Sequence, residues 1–384
     1  MWAIWRWLFQ SSWVWSSPSQ SPVLIFDTTN RHLLDRILGP WRSECLDVRG
    51  AVLNVPCLVR SLFREGPRMQ AYIDAYIDAV QPSLVVSLFD NDLRFLELRN
   101  RHPGIKTLFI QNGWRSYHAD VFEALSRLPF DRRRLLLVDY MLVFGSKVGN
   151  EYQRYISGQA IPIGSLKNNQ CHRKAPPSMD TLAFISQFNE GGVHIDGKLV
   201  SHGEFFRRAD EYVLSSLAEY ATDRGKRLFV IPRFRDLASG ERKKEEAYYR
   251  TMFGPGSCFL EPEGEFPSYE AVDRAGVSVG IDTTLAYESI ARGNRTVIFS
   301  IRSEMMKIDG LTFGWPANYP DLGFFWTNLP RQDLFFEILD RAFNASWDQW
   351  DAAVSAVEFD SLMTHDTENA TLKSILAREL GTTQ

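Results

Sequence analysis

Short apolar runs, each stopping at polar residues, alternate along this chain with stretches whose apolar positions recur at helical spacing. Val23-Leu24-Ile25-Phe26 stops at Asp27, and Leu33, Leu34, Ile37 and Leu38 then fall on one face of a helix. A helix over 68–80 precedes a strand from Leu84 to Phe89 that runs into Asp90-Asn91-Asp92. The strand 106–110 ends at Gln111-Asn112-Gly113-Trp114-Arg115, residues 135–145 supply two further strand pieces, and Ile161 to Gly164 follows. Strands alternating with helices in this way predict a parallel sheet covered on both faces.

Periodicity lapses from Ser165 to Asp180, a polar stretch holding Pro176-Pro177, and then restarts. A strand over 181–186 ends at Ser186-Gln187 and opens into a polar, Gly-rich loop from Asn189 to Lys198. A helix stops at Gly225, and the strand 227–232 ends at Pro232-Arg233. After a short strand near Phe259, the β-branched run of Val277, Val279 and Ile281 ends at Asp282-Thr283-Thr284. A helix begins there and reaches Gly293, placed for a C-terminal glycine cap. The expected organisation is a Trp-rich segment (1–22), a Rossmann-like domain (23–164), a linker (165–180), a second Rossmann-like domain (181–330) and C-terminal helices (331–384). This is an α/β, GT-B-like arrangement, with two Rossmann-like domains facing a cleft.

Composition narrows the function classes. A net charge of -4 over 384 residues gives no whole-molecule attraction to nucleic acid or anionic lipid. Cys45, Cys57, Cys171 and Cys258 form no CxxC pair, so neither a zinc module nor a disulfide framework is expected. No histidine spacing suggests a metal site, and no metal or cofactor is expected. The turn after the first strand lacks G-x-G-x-x-G, which counts against a dinucleotide dehydrogenase, and no GxxxxGK[ST] exists. Trp2, Trp5, Trp7, Trp13 and Trp15 crowd an N-terminal stretch too short to span a bilayer. It reads as an interfacial anchor or as an arm packed on the protein's own surface. The expected location is cytoplasmic, with the option of peripheral contact at the inner membrane face.

The run from Tyr269 to Phe299, YEAVDRAGVSVGIDTTLAYESIARGNRTVIF, and the downstream FGWPANYPDLGFFWTN resemble bacterial surface-carbohydrate biosynthesis glycosyltransferases of GT-B type. IQNGWR, DNDLRF and ISQF are similar to upstream motifs of the same proteins, so the resemblance covers most of residues 80–330. It implies a nucleotide-sugar donor held by the C-terminal half and a surface-glycan acceptor, for capsule or lipopolysaccharide. Within the group, transferases of the acidic sugar Kdo, which use a CMP-linked donor, are the relatives it suggests. Their His-Pro pair is Ile231-Pro232-Arg233 here, which puts CMP in question. A CDP-alcohol polyol-phosphate transferase and a non-catalytic sugar-nucleotide-binding subunit are the alternatives.

Ligands of open parallel sheets sit beyond the carboxyl ends of the strands. The helix tip at Asp282, Thr283 and Thr284 has unpartnered N–H groups that suit a phosphate, and Glu288 lies one turn further in, where it reaches a ribose. Arg233 adds an always-charged grip on phosphate or a sugar carboxylate, while Arg235 reads as a solvated neighbour. Ser186 and Gln187 complete the donor set; Gln111, Asn112 and Arg115 suit sugar hydroxyls and a carboxylate on the acceptor side. An inverting reaction needs a carboxylate base, for which Asp90 is the candidate. A retaining one, which the Kdo resemblance implies, needs a nucleophile from the C-terminal half, with Asp196 and then Glu204 as candidates. Both mechanisms stay open, and Asp90-Asn91-Asp92 is read as a coincidental DxD rather than a metal site.

Overall fold

A computed structural model describes residues 11–381 apart from 50, 119, 174–175, 196–197, 254–257 and 263. The first sheet holds β1 (Val23–Phe26), β2 (Ser43–Leu46), β3 (Leu84–Ser87), β4 (Lys106–Ile110), β5 (Leu137–Val143) and β6 (Ser157–Pro162). All neighbours pair in parallel, in the order β2-β1-β3-β4-β5-β6. Every residue of β1 and β3 is buried, because a parallel strand covered on both faces has no wet side. The helix α1 (Arg31–Leu38) follows β1 and buries Leu33, Leu34, Ile37 and Leu38, the four positions its spacing selects.

The second sheet holds β7 (Ser178–Ile185), β8 (Arg227–Ile231), β9 (Cys258–Phe259), β10 (Ala275–Gly280), β11 (Thr296–Phe299) and β12 (Trp326–Thr327). It is also parallel throughout, in the order β9-β8-β7-β10-β11-β12. Its connections are α2 (His202–Asp223), α3 (Gly240–Phe253), α4 (Pro267–Arg274) and α5 (Thr284–Ala291). The two Rossmann-like domains therefore each have a point where strand order reverses. In the first it lies between β1 and β3, in the second between β7 and β10, and crevices open at such points.

The last helix, α6 (Ala370–Leu380), returns to the first sheet. Its Leu372, Ile375 and Leu376 pack with Val23, Ile25, Leu84, Val86, Leu108 and Ile110, on the face that α1 also covers. The outgoing and returning crossings lie side by side. Asn169 Nδ2 donates to Asn369 Oδ1 at 2.8 Å, and the Asp366 N–H donates to Asn169 Oδ1 at 3.1 Å. The stretch expected as a linker is thus packed where it leaves the first lobe, with Asn168 and Asn169 buried.

Several elements differ from the sequence pattern. Residues 135–145 give one strand, β5, with an irregular register against β6 between Leu137 and Tyr140. The edge strands β2 and β12 carry too few apolar residues, or are too short, to signal themselves. The expected loop after Gln187 contains a hairpin, Gly192–Ile195 against Lys198–Ser201.

Candidate functional site

A cavity of about 290 Å³ opens between the lobes where both strand-order reversals meet. The first lobe contributes Asn30 and Leu33 after β1, Leu88 after β3, and Gln111 and Asn112 after β4. The second contributes Ser186 after β7, Pro232, Arg233 and Arg235 after β8, and Thr283, Thr284 and Glu288 around the start of α5. Ser165 and Lys167, from the crossing, close one wall.

The tip of α5 is open. Asp282 takes a left-handed backbone (φ 53°) and delivers the chain to Thr283, the N-cap residue, whose side chain makes no capping bond. The first N–H groups of the helix therefore lack a side-chain cap and lie at the cavity wall, where its dipole favours an anion. The Thr284 hydroxyl is engaged from the other lobe, accepting the Trp114 N–H at 2.8 Å. A Cβ on Gly280 would come within 2.6 Å of the Ala286 methyl, so glycine there lets α5 start hard against the end of β10.

Three cations line the cavity with one carboxylate, Glu288. Among the described residues, neither Lys167, Arg233 nor Arg235 has a carboxylate within ion-pair distance. Arg233 donates to the Phe188 carbonyl at 3.2 Å, and Arg235 to Ser268 Oγ at 2.9 Å. Burial holds both guanidiniums below their ordinary pKa, Glu245 opposing this at Arg233 and Tyr269 at Arg235. Burial also lowers Lys167, against the pull of Glu288, and Arg235 nearby adds to the fall. Partly desolvated cations with no carboxylate at ion-pair distance suit an anion.

Glu288 is buried and accepts the Tyr269 hydroxyl at 2.9 Å. Burial raises its carboxyl pKa above the ordinary value, opposed by Ser165, Tyr269, Lys167 and Arg292. A second buried carboxylate, Glu245 on α3, shapes the loop after β8. It accepts the N–H of Arg233 at 2.8 Å and of Phe234 at 3.0 Å, and also the Ser186 hydroxyl. Ser186 in turn accepts the Tyr249 hydroxyl at 2.8 Å, so its oxygen is committed within the protein.

The structure brings Ser186, Arg233, Thr283, Thr284, Glu288, Gln111 and Asn112 to one cavity. It withholds Asp90, which is fully buried behind it. Arg115 grips Asp90 with two nitrogens, Nε at 2.8 Å, and the Tyr152 hydroxyl donates to it as well. Its oxygens are spent on these bonds, so the sequence reading of Asp90 as a base at the site is corrected. Asp92 caps the helix Leu93–Leu96 and pairs with Arg94, so neither aspartate presents a metal ligand.

Arg115 is likewise a positioning residue rather than an acceptor ligand. It is buried and also holds Asp120 at 2.8 Å and Asn112 Oδ1 at 3.2 Å. Gln111 lines the cavity but spends its amide on Gly113 and Phe144, both at 2.9 Å; Asn112 is exposed. Gln187 and Asp282 lie beneath the site. Both meet the buried Arg302, which also pairs with Asp210 at 3.0 Å, and Ser300 donates to Asp282. Asp196 and the side chain of Glu204 lie outside the described residues.

Lys167 and Tyr269 were not singled out by the sequence, and Arg235, read there as a solvated neighbour, lines the cavity. Lys167 sits in a stretch without periodicity, Arg235 two residues past a strand end, and Tyr269 on a helix face. The signal that joins them is position next to strand-order reversals, which the sequence shows only once strand order is known.

The architecture is that of the GT-B class. Among solved structures the chain is similar to UDP-GlcNAc 2-epimerase from Methanocaldococcus jannaschii, at 10% identity and a TM-score of 0.52, over 93% of this chain and 99% of that one. It is similar to the wall teichoic acid polymerase TagF at 12% identity and a TM-score of 0.53, over 94% and 89% of the two chains. No curated protein matches the sequence. Residues 108–380 match the model of a family described as "putative O-antigen biosynthesis protein", and the chain belongs to that family.

Proposed function

We propose that the protein is a glycosyltransferase of surface-glycan assembly, which binds a nucleotide-sugar donor in the interlobe cavity. The observation that carries this is the set of Lys167, Arg233 and Arg235, uncompensated, around the uncapped tip of α5. The donor's phosphates would sit on the tip of α5 and against the cations, and Glu288 would take ribose hydroxyls. As the leaving nucleotide gains negative charge, groups already fixed in place stabilise it without reorganising. Gln111 and Asn112 face the same space from the first lobe, where an acceptor would enter.

A nucleoside-diphosphate sugar carries two negative charges on its phosphates. A CMP-linked acidic sugar such as Kdo carries one on phosphate and one on the sugar carboxylate. Three cations suit either charge set, and a free carboxylate favours the bidentate Arg233 or Arg235. The retaining route, through Asp196 or Glu204, is the one we carry forward, because Asp90 is withdrawn from the cavity. The similarity of fold to TagF, solved with CDPG, keeps a CDP-alcohol reaction as the second reading.

Thermal stabilisation by CMP, CDP, UDP and GDP tests the site, since a ligand of the native state alone raises stability by about 2.7 kcal/mol at a hundred times its Kd. Stabilisation by at least one nucleotide, lost in Arg233→Ala, is expected. No response to any of the four overturns the reading. Binding without turnover of any matching sugar donor would favour a non-catalytic subunit.

A further inference from the structure

Seven of the thirteen large apolar side chains exposed among the described residues fall in two short stretches, 13–15 and 52–63. The strand Ser12–Val14 pairs in parallel with Val52–Asn54, which brings the stretches together. Asn54 Nδ2 donates to the Ser16 carbonyl at 2.8 Å, fixing Trp15 near the start of the helix Val55–Ser61. That helix buries Cys57 and Ser61. Val59 on that helix, Leu62 at its C-cap and Phe63 just beyond it are all exposed. Phe63 is 87% exposed, Trp15 76% and Leu62 58%. Exposed apolar side chains gathered on one face mark an interaction surface.

The charges around this face are mostly basic. Arg60 and Arg68 are exposed and, among the described residues, meet no carboxylate; Arg64 pairs with Asp78, and Glu65 is the acid between them. The sequence ahead of Ser11 holds Trp2, Trp5, Trp7, Leu8 and Phe9 with Arg6 as the one charged side chain. Tryptophan favours the membrane–water boundary, and arginine meets anionic headgroups. Among the described residues no helix is long and apolar enough to cross a membrane.

We propose that this face docks the protein on an anionic lipid bilayer. Trp13, Trp15, Leu62 and Phe63 enter the headgroup boundary, and Arg60 and Arg68 meet lipid phosphates. The proposal does not depend on which donor occupies the cavity.

Co-sedimentation of the full chain with vesicles of phosphatidylethanolamine and phosphatidylglycerol, and with phosphatidylcholine vesicles, tests it. The wild type is expected on the anionic vesicles. Leu62→Glu/Phe63→Glu should lower binding about tenfold or more, and Arg60→Glu/Arg68→Glu should remove its salt dependence. Phe130→Glu, an exposed aromatic elsewhere in the same lobe, should bind as wild type. An unchanged melting temperature shows that each variant folds, with Trp15→Ala/Phe63→Ala as the milder pair. Absence of wild-type binding, or equal binding by the Leu62/Phe63 variant, overturns the proposal. So does a wild-type dimer that this variant dissociates while neither binds vesicles.

Discussion

The indole of Trp114 lies flat on the ring of Tyr287, with centroids 3.5 Å apart and planes within 9°. Trp114 belongs to the loop after β4 in the first lobe; Tyr287 is on α5 in the second, stacked further on Phe313 and Phe359. The same tryptophan donates its backbone N–H to Thr284, so one residue pins the first lobe to the helix whose tip faces the cavity. Trp114→Ala should destabilise the protein by about 3 kcal/mol. It should also raise the donor KM more than it lowers kcat, since the cavity walls lose their register. Urea denaturation and steady-state kinetics check the two effects.

Lys167 is half-buried without a carboxylate at ion-pair distance, and Arg233 and Arg235 stand at the cavity mouth likewise unpaired, so at Lys167 binding and stability should move in opposite directions. Lys167→Met should raise the melting temperature of the ligand-free protein and weaken nucleotide affinity about 10- to 100-fold, the loss of a charge-assisted bond of roughly 1.5–3 kcal/mol. Arg233→Met, at an exposed position, should weaken affinity alike with little effect on ligand-free stability. Calorimetry of binding and of unfolding on the same preparations decides it.

Asp90 carries a different expectation. Asp90→Asn removes one of the two carboxylates, with Asp120, that balance buried Arg115, and breaking such a buried pair costs up to about 3–5 kcal/mol. Activity should fall only as the folded fraction falls, and it should recover on cooling. A stable, fully folded Asp90→Asn protein without turnover would restore the aspartate to a chemical role.

The pH dependence follows from burial. Asp210, beside Arg302, is raised by burial from 3.8 to about 6, against the pull of that arginine. Glu288 is raised above its ordinary value by the same cause. Between its unfolded and folded values each group binds more protons in the folded chain, so its contribution to stability falls as pH rises through that window. Glu288→Gln has no such fall. Its stability relative to wild type should therefore increase from about pH 4.5 upward and level off above the folded value. Urea midpoints of both proteins across pH 4–8 would show a constant difference if Glu288 were not raised.

The alternation of strands and helices was legible because buried parallel strands are apolar throughout, as Val23 to Phe26 and Leu84 to Val86 are. Thr283, Thr284, Glu288 and Arg233 were legible because ligands gather at strand ends. Asp90, Gln187 and Asp282 have the same signature, yet each is turned inward to satisfy a buried arginine, Arg115 or Arg302. Chain order does not reveal which way a strand-end side chain points. The hairpin after Gln187 was open to view: Asp196-Gly197 between Val193, Ile195, Leu199 and Val200 is a strong turn signal, outweighed by the polar residues before it.

The return of α6 to the first sheet has a consequence for the order of events during synthesis. Val23 and Ile25 emerge from the ribosome early, but Leu372, Ile375 and Leu376, which complete the lining of that sheet face, emerge some 350 residues later. The first lobe must wait, partly uncovered, while the whole of the second is made. A chain cut before Ala370 should therefore leave the first lobe sticky and the second intact, and the nascent protein is one that chaperones have reason to meet.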